Sequence, residues 1–127
     1  MKRFIGEDIS INLYHEKPLT EQFCYCLLRD LPEKVGLTRY ADPSIHSFPN
    51  KQIVTENGIT GTTIMIESHI GIHDWPAGRI KPDVPFTHIT ISSCKKVNIN
   101  SVILFLSEVF GTGRIVWDRM PWRDPNG

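Results

Sequence analysis

The chain has 127 residues, and its 14 Lys and Arg balance 14 Asp and Glu. That length suits one domain, 1–127, with a modest core. The level charge excludes the basic, aromatic-studded face that nucleic acid would need. No apolar run is long enough to span a membrane, and Met1-Lys2-Arg3 has no apolar stretch behind it to make a secretion signal.

In chain order, Asp8 to Tyr14 alternates Ile9, Ile11 and Leu13 with polar residues, the pattern of a half-buried strand. Thr20-Glu21 opens a helix whose Phe23, Leu27, Leu28 and Leu31 share one face, with Pro32 and Gly36 expected to end it. Residues 41–58 read as short strands and turns, and Asn57-Gly58 is the strongest hairpin signal. Ile59 to Ile66 is the central apolar strand. Pro76 to Pro85 is a loop, and Phe86 to Ser92 is strand again. Ser101 to Phe110 is a second helix, apolar on much of its circumference and ended by Gly111 and Gly113. Arg114 to Trp117 is a last strand, and Arg119 to Gly127 a loosely ordered tail. This order predicts an α+β fold: a largely antiparallel sheet with helices on one face, a two-layer sandwich.

Three cysteines make an odd count. Cys24 and Cys26 lie one residue apart, which suits neither a zinc knuckle nor a redox Cys-x-x-Cys. Reduced thiols in a cytoplasmic protein are expected.

The richest stretch is Ile64-Met65-Ile66-Glu67-Ser68-His69-Ile70-Gly71-Ile72-His73-Asp74-Trp75-Pro76, with Cys94 at the end of the strand downstream. Apolar strands ordinarily carry core residues, so Glu67-Ser68-His69 set into one marks a site. Together with His88-Ile89-Thr90-Ile91-Ser92-Ser93-Cys94, this run resembles the processing site of the prokaryotic, pyruvoyl-dependent S-adenosylmethionine decarboxylases. That family's pattern is Glu-Ser-His-x-x-x-His-x-Trp/Tyr-Pro followed by a strand ending in Cys. The resemblance is specific from Thr60 to Cys94.

The chemistry agrees with the resemblance. Decarboxylating an amino acid leaves charge on the α-carbon, which only an electron-poor carbonyl or its equivalent can absorb. The sequence has no glycine-rich phosphate loop for a pyridoxal cofactor; a pyruvoyl group made from a serine needs none. The resemblance implies self-cleavage between Glu67 and Ser68, into chains 1–67 and 68–127, with Ser68 becoming the pyruvoyl group. It implies that His73 removes the proton in that processing, that Thr60 stands where the family has an assisting serine, and that Cys94 protonates the product. It also implies a homodimer of processed protomers that takes an amino-acid-type substrate for polyamine (spermidine) synthesis. Ser68 and His73 are an odd number of residues apart, so on a regular strand they face opposite ways. Their meeting requires a bend or bulge, for which Gly71 is the available residue.

In the family the adenine lies between aromatic rings. Trp75 matches one. Pairing His46-Ser47-Phe48 with the family's His-x-Phe supplies Phe48 as the other, whereas an ungapped count from Gly61 gives Val54, which cannot stack. The family's ribose-binding glutamate is replaced by Ala77, leaving two hydroxyls poorly paired at about 1–3 kcal/mol each. This raises an alternative: arginine or ornithine as substrate, with Asp74, Asp83 or Glu67 facing the cationic side chain. A second alternative is an unprocessed homologue with a binding or regulatory role. A third is a hydrolase built from Cys94 and His73. His69 and His73 have helical metal-pair spacing, but the segment is a strand and no third ligand is evident, so no metal is expected.

Overall fold

The protein is described here by a computed structural model covering residues 3–48, 57–111 and 114–127. Its elements are β1 (Glu7–Tyr14), α1 (Glu21–Lys34), β2 (Ser44–Phe48), β3 (Gly58–Met65), β4 (Ser68–Trp75), β5 (Phe86–Ser93), α2 (Ile99–Phe110) and β6 (Ile115–Pro121). The strands form one antiparallel sheet in the order β2-β3-β4-β5-β1-β6. Both helices lie on one face, giving the two-layer α+β fold that the element order predicts.

Strand alternation makes the two faces different. Ile9, Ile11 and Leu13 of β1, Ile70 and Ile72 of β4, and Ile89 and Ile91 of β5 are buried under the helices. They meet Leu27, Leu28 and Leu31 of α1 and Val102 and Leu106 of α2 in one core. The opposite face carries Asn12, Thr60, Thr62, His69, His73, Trp75, His88 and Thr90, and no helix among the described residues covers it.

Caps fix the helix ends. The Thr20 hydroxyl accepts the Phe23 N–H at 3.1 Å, and the Asn98 side chain accepts the Ser101 N–H at 3.2 Å. Gly111 ends α2 in the left-handed conformation, with φ 63°; Gly113 lies outside the described residues. Pro32 does not end α1, which runs on to Lys34. A proline this late in a helix forfeits one hydrogen bond, and its buried ring extends the apolar stripe.

Two further expectations are corrected. Asn57-Gly58 is not a tight turn: Gly58 already pairs with Phe48, so the β2–β3 connection is longer, and residues 49–56 of it lie outside the described residues. The two-residue hairpin falls instead at Ile66-Glu67, where Met65 pairs with Ser68. The expected loose tail is also tied down. β6 extends to Pro121, the Trp122 N–H donates to the Gly6 carbonyl at 2.9 Å, and its indole N–H donates to Asp8 at 3.0 Å. Only glycine fits position 6, where a Cβ would come within 2.0 Å of the Trp122 ring.

Candidate active site

The Glu67–Ser68 peptide bond sits at the tip of the β3–β4 hairpin. Turns this tight ordinarily take positive φ at a central residue. Neither Ile66 nor Glu67 has it, and the misfit falls on Ser68, with φ 156°. Backbone of this kind is held by its surroundings. Here the Thr38 carbonyl accepts the Ile66 N–H at 2.9 Å, and the Thr38 N–H donates to the Glu67 carboxylate at 2.9 Å. That N–H holds the Glu67 carboxyl below its ordinary range.

The Glu67 carbonyl oxygen accepts the Cys94 N–H at 3.0 Å. Cys94, with an exposed thiol, follows directly on Ser93, the β5 partner of Ser68. Pairing of β4 with β5 thus brings Glu67, Ser68 and Cys94 together at one end of the sheet. The Ser68 hydroxyl lies 3.3 Å from Nδ1 of the exposed His69 ring.

His73 and Thr60 form a second group. They are cross-strand partners, with Thr60 Oγ1 3.1 Å from His73 Nδ1. The His73 ring stacks on Trp75 at 6.0 Å and on His88 at 6.3 Å. The expected bend at Gly71 is absent. Gly71 pairs in unbroken register with Thr62 and Thr90, so Ser68 and His73 stay five residues and about 16 Å apart along the strand.

Phe48 and Trp75 flank Gly58. Phe48 pairs with Gly58 on one side, and the Trp75 ring comes within 3.8 Å of where a Gly58 Cβ would be on the other. Two strand spacings separate the aromatic residues by about 10 Å, and Gly58 puts no side chain between them. The Arg79 guanidinium lies 5.9 Å from the Trp75 ring centroid.

Asp74 points the other way. It is buried on the helix side, where its Oδ1 accepts from the Thr87 hydroxyl at 2.7 Å and lies 3.0 Å from His15 Nε2. The His15 Nδ1–H donates to the Lys17 carbonyl at 2.7 Å. Burial, with the Asp74 and Glu21 carboxylates adding, pushes the nearby Cys24 thiol up to about 12. Asp83 lines a helix-side cleft of about 710 Å³ with His15, Phe23 and Phe110. Ala77, in the turn after Trp75, offers no carboxylate.

Sequence reasoning missed His88. It is half-buried on the open face, its Nδ1–H donating to Asn12 Oδ1 at 2.7 Å and its Nε2 3.0 Å from the Thr90 hydroxyl. The alternation of Phe86, His88 and Thr90 is the signal that placed it there. Among the described residues, no three or more His, Cys, Asp or Glu side chains cluster as metal ligands.

The model of the S-adenosylmethionine decarboxylase family matches residues 9–121, and the chain belongs to that family. The fold is similar to the crystal structure of the adenosylmethionine decarboxylase from Aquifex aeolicus VF5. The TM-score is 0.66 at 18% identity, covering 94% of this chain and 92% of that one. A search of curated protein sequences finds no match. The family is one of decarboxylases, that is, carboxy-lyases.

Proposed function

We propose that this chain is a self-processing, pyruvoyl-dependent S-adenosylmethionine decarboxylase serving polyamine (spermidine) synthesis. The observation that carries the reading is the Cys94 N–H on the Glu67 carbonyl, beside a Ser68 in sparsely populated backbone. The Ser68 hydroxyl attacks the Glu67 carbonyl carbon, and the bond to the Ser68 nitrogen breaks to leave an ester. Negative charge that develops on the carbonyl oxygen meets the Cys94 N–H, already in place. His73, steadied by Thr60, takes the Ser68 α-proton as the Glu67 carboxylate leaves. Water then enters and ammonia departs, leaving a pyruvoyl group at residue 68. That group supplies the electron-poor carbonyl that decarboxylation requires. After carbon dioxide leaves, the Cys94 thiol donates a proton to the substrate α-carbon.

Ser68 and His73 are too far apart in one protomer for this sequence of steps. The reading therefore includes a homodimer in which each site is completed across the contact. In a two-fold contact each surface meets its counterpart reciprocally, so the His73 of one protomer serves the Ser68 of the other.

Phe48, Gly58 and Trp75 make a slot suited to a planar base. None of the three carboxylates considered for arginine or ornithine suits that role. Asp74 is engaged with His15 and Thr87, Glu67 is tied to Thr38, and Asp83 lines the helix-side cleft.

Denaturing mass spectrometry of the purified chain tests the reading. Two fragments divided between Glu67 and Ser68, the second blocked at its start, are expected, with no cleavage in Ser68→Ala. Carbon dioxide release is then expected from S-adenosylmethionine, not arginine or ornithine. A single 14.5 kDa chain that persists on incubation means an unprocessed homologue with a binding role.

A further inference from the structure

His88 opens the run that ends in Cys94 and has no role assigned by the resemblance, yet its surroundings are built. Asn12 Oδ1 can only accept, so His88 Nδ1 carries hydrogen. Nε2 of the neutral ring then accepts from the Thr90 hydroxyl. Both ring nitrogens are satisfied in the neutral form, and each partner comes from a regular strand. The ring is nearly parallel to His73, at 20°, on the strand next to it. Trp75 holds His73 from along its own strand, and Thr60 engages its Nδ1. That leaves Nε2 of His73 for proton exchange.

We infer that His88 is a positioning residue for His73: a neutral, doubly bonded imidazole that orients the His73 ring and leaves the proton taken up during processing on His73 alone. This rests on the role proposed above for His73. Two stacked imidazoles compete for one proton, because a charge on either opposes charge on the other. Asn12 and Thr90 decide the competition by favouring the neutral form of His88. Burial, and then the neighbouring His73, lower its proton affinity in the same direction. The other ionisable groups on this face are His69 on β4, Asp8 and Tyr14 on β1, His46 on β2 and Asp118 on β6. Arg79 lies over Trp75, and Lys81 and Arg114 over Tyr14. The hydrogen bonds of the pair run to Thr60, Asn12 and Thr90.

The test is an NMR titration of the histidine ring signals in the full chain carrying Ser68→Ala, which reads the pair whether or not processing occurs. His88 is expected to take its proton below the ordinary histidine range. Asn12→Asp places a carboxylate on His88 Nδ1, so His88 charges first and the His73 midpoint falls by about one pH unit. Thr90→Val, which removes the bond to the neutral ring, moves it the same way. Adding His88→Phe abolishes both shifts. A His73 midpoint unmoved by either substitution, or a shift that persists without His88, overturns the inference. Absence of cleavage in the Ser68 chain at every pH, with the titration pattern intact, strikes the proposed function alone.

Discussion

At the scale of single residues, Cys94 has two separable features: its amide touches the Glu67 carbonyl, and its thiol is exposed. Cys94→Ala keeps the amide and removes the thiol. It should still cleave at Glu67–Ser68, while carbon dioxide release falls by about 10²-fold or more, the usual weight of a positioned acid. Cys94→Pro removes the N–H and should slow cleavage itself by about 10²-fold, the effect of losing one donor to a developing oxyanion. Fragment yield against time separates the two variants. Ala77 poses a substrate question. Ala77→Glu restores the family carboxylate beyond Trp75, and turnover of S-adenosylmethionine at low concentration should rise roughly 5-fold or more, the worth of about 1 kcal/mol. Equal turnover by both proteins would remove the ribose from the account of this site.

At the scale of elements, the β3–β4 hairpin and helix α1 set the geometry. The hairpin puts the Glu67–Ser68 bond at a tip that β5 and the Thr38 segment can grip from two sides. Helix α1 packs close to β3 because Gly61 has no side chain. A Cβ there would stand 2.3 Å from Ile45 Cδ1 and 2.9 Å from Leu28 Cδ1. Leu28 is fully buried, so it cannot swing away into solvent. Gly61→Ala should therefore destabilise the fold by about 1–3 kcal/mol, the range for overpacking a filled core. Urea unfolding followed by circular dichroism measures it, and an unchanged midpoint would mean that α1 slides freely on the sheet.

At the scale of the whole molecule, the sheet has one apolar face under two helices and one polar face that carries His46, His69, His73, His88, Thr60 and Trp75. No described helix is long and apolar enough to cross a membrane. The separation of Ser68 from His73 makes the proposed dimer a test of mechanism as well as of assembly. Ser68→Ala and His73→Ala are each expected to stay uncleaved. When the two are unfolded together and refolded as a mixture, each mixed dimer regains one intact Ser68–His73 combination. Cleavage of about half the His73→Ala chains is then expected, from random pairing about a two-fold axis. If each protomer acts alone, the mixture stays intact.

The sequence by itself determined the class of fold and nominated the candidate site residues. Alternation in β1, the stripe and threonine cap of α1, and the asparagine and glycine caps of α2 are local patterns, and local periodicity is what a linear reading detects. Phe48, Thr60, Ser68, His73, Trp75 and Cys94 were all named from their motif. Only the tertiary structure decided how they group. It moved the tight turn from Asn57-Gly58 to Ile66-Glu67 and kept β4 straight through Gly71. It turned Asp74 toward His15, set the Cys94 amide on the Glu67 carbonyl, and placed His88 between Asn12 and His73. Each of these depends on pairing between strands distant in sequence. Register flips every side chain to the other face when it slips by one residue, so it is settled only when the buried face of the whole sheet meets its helices.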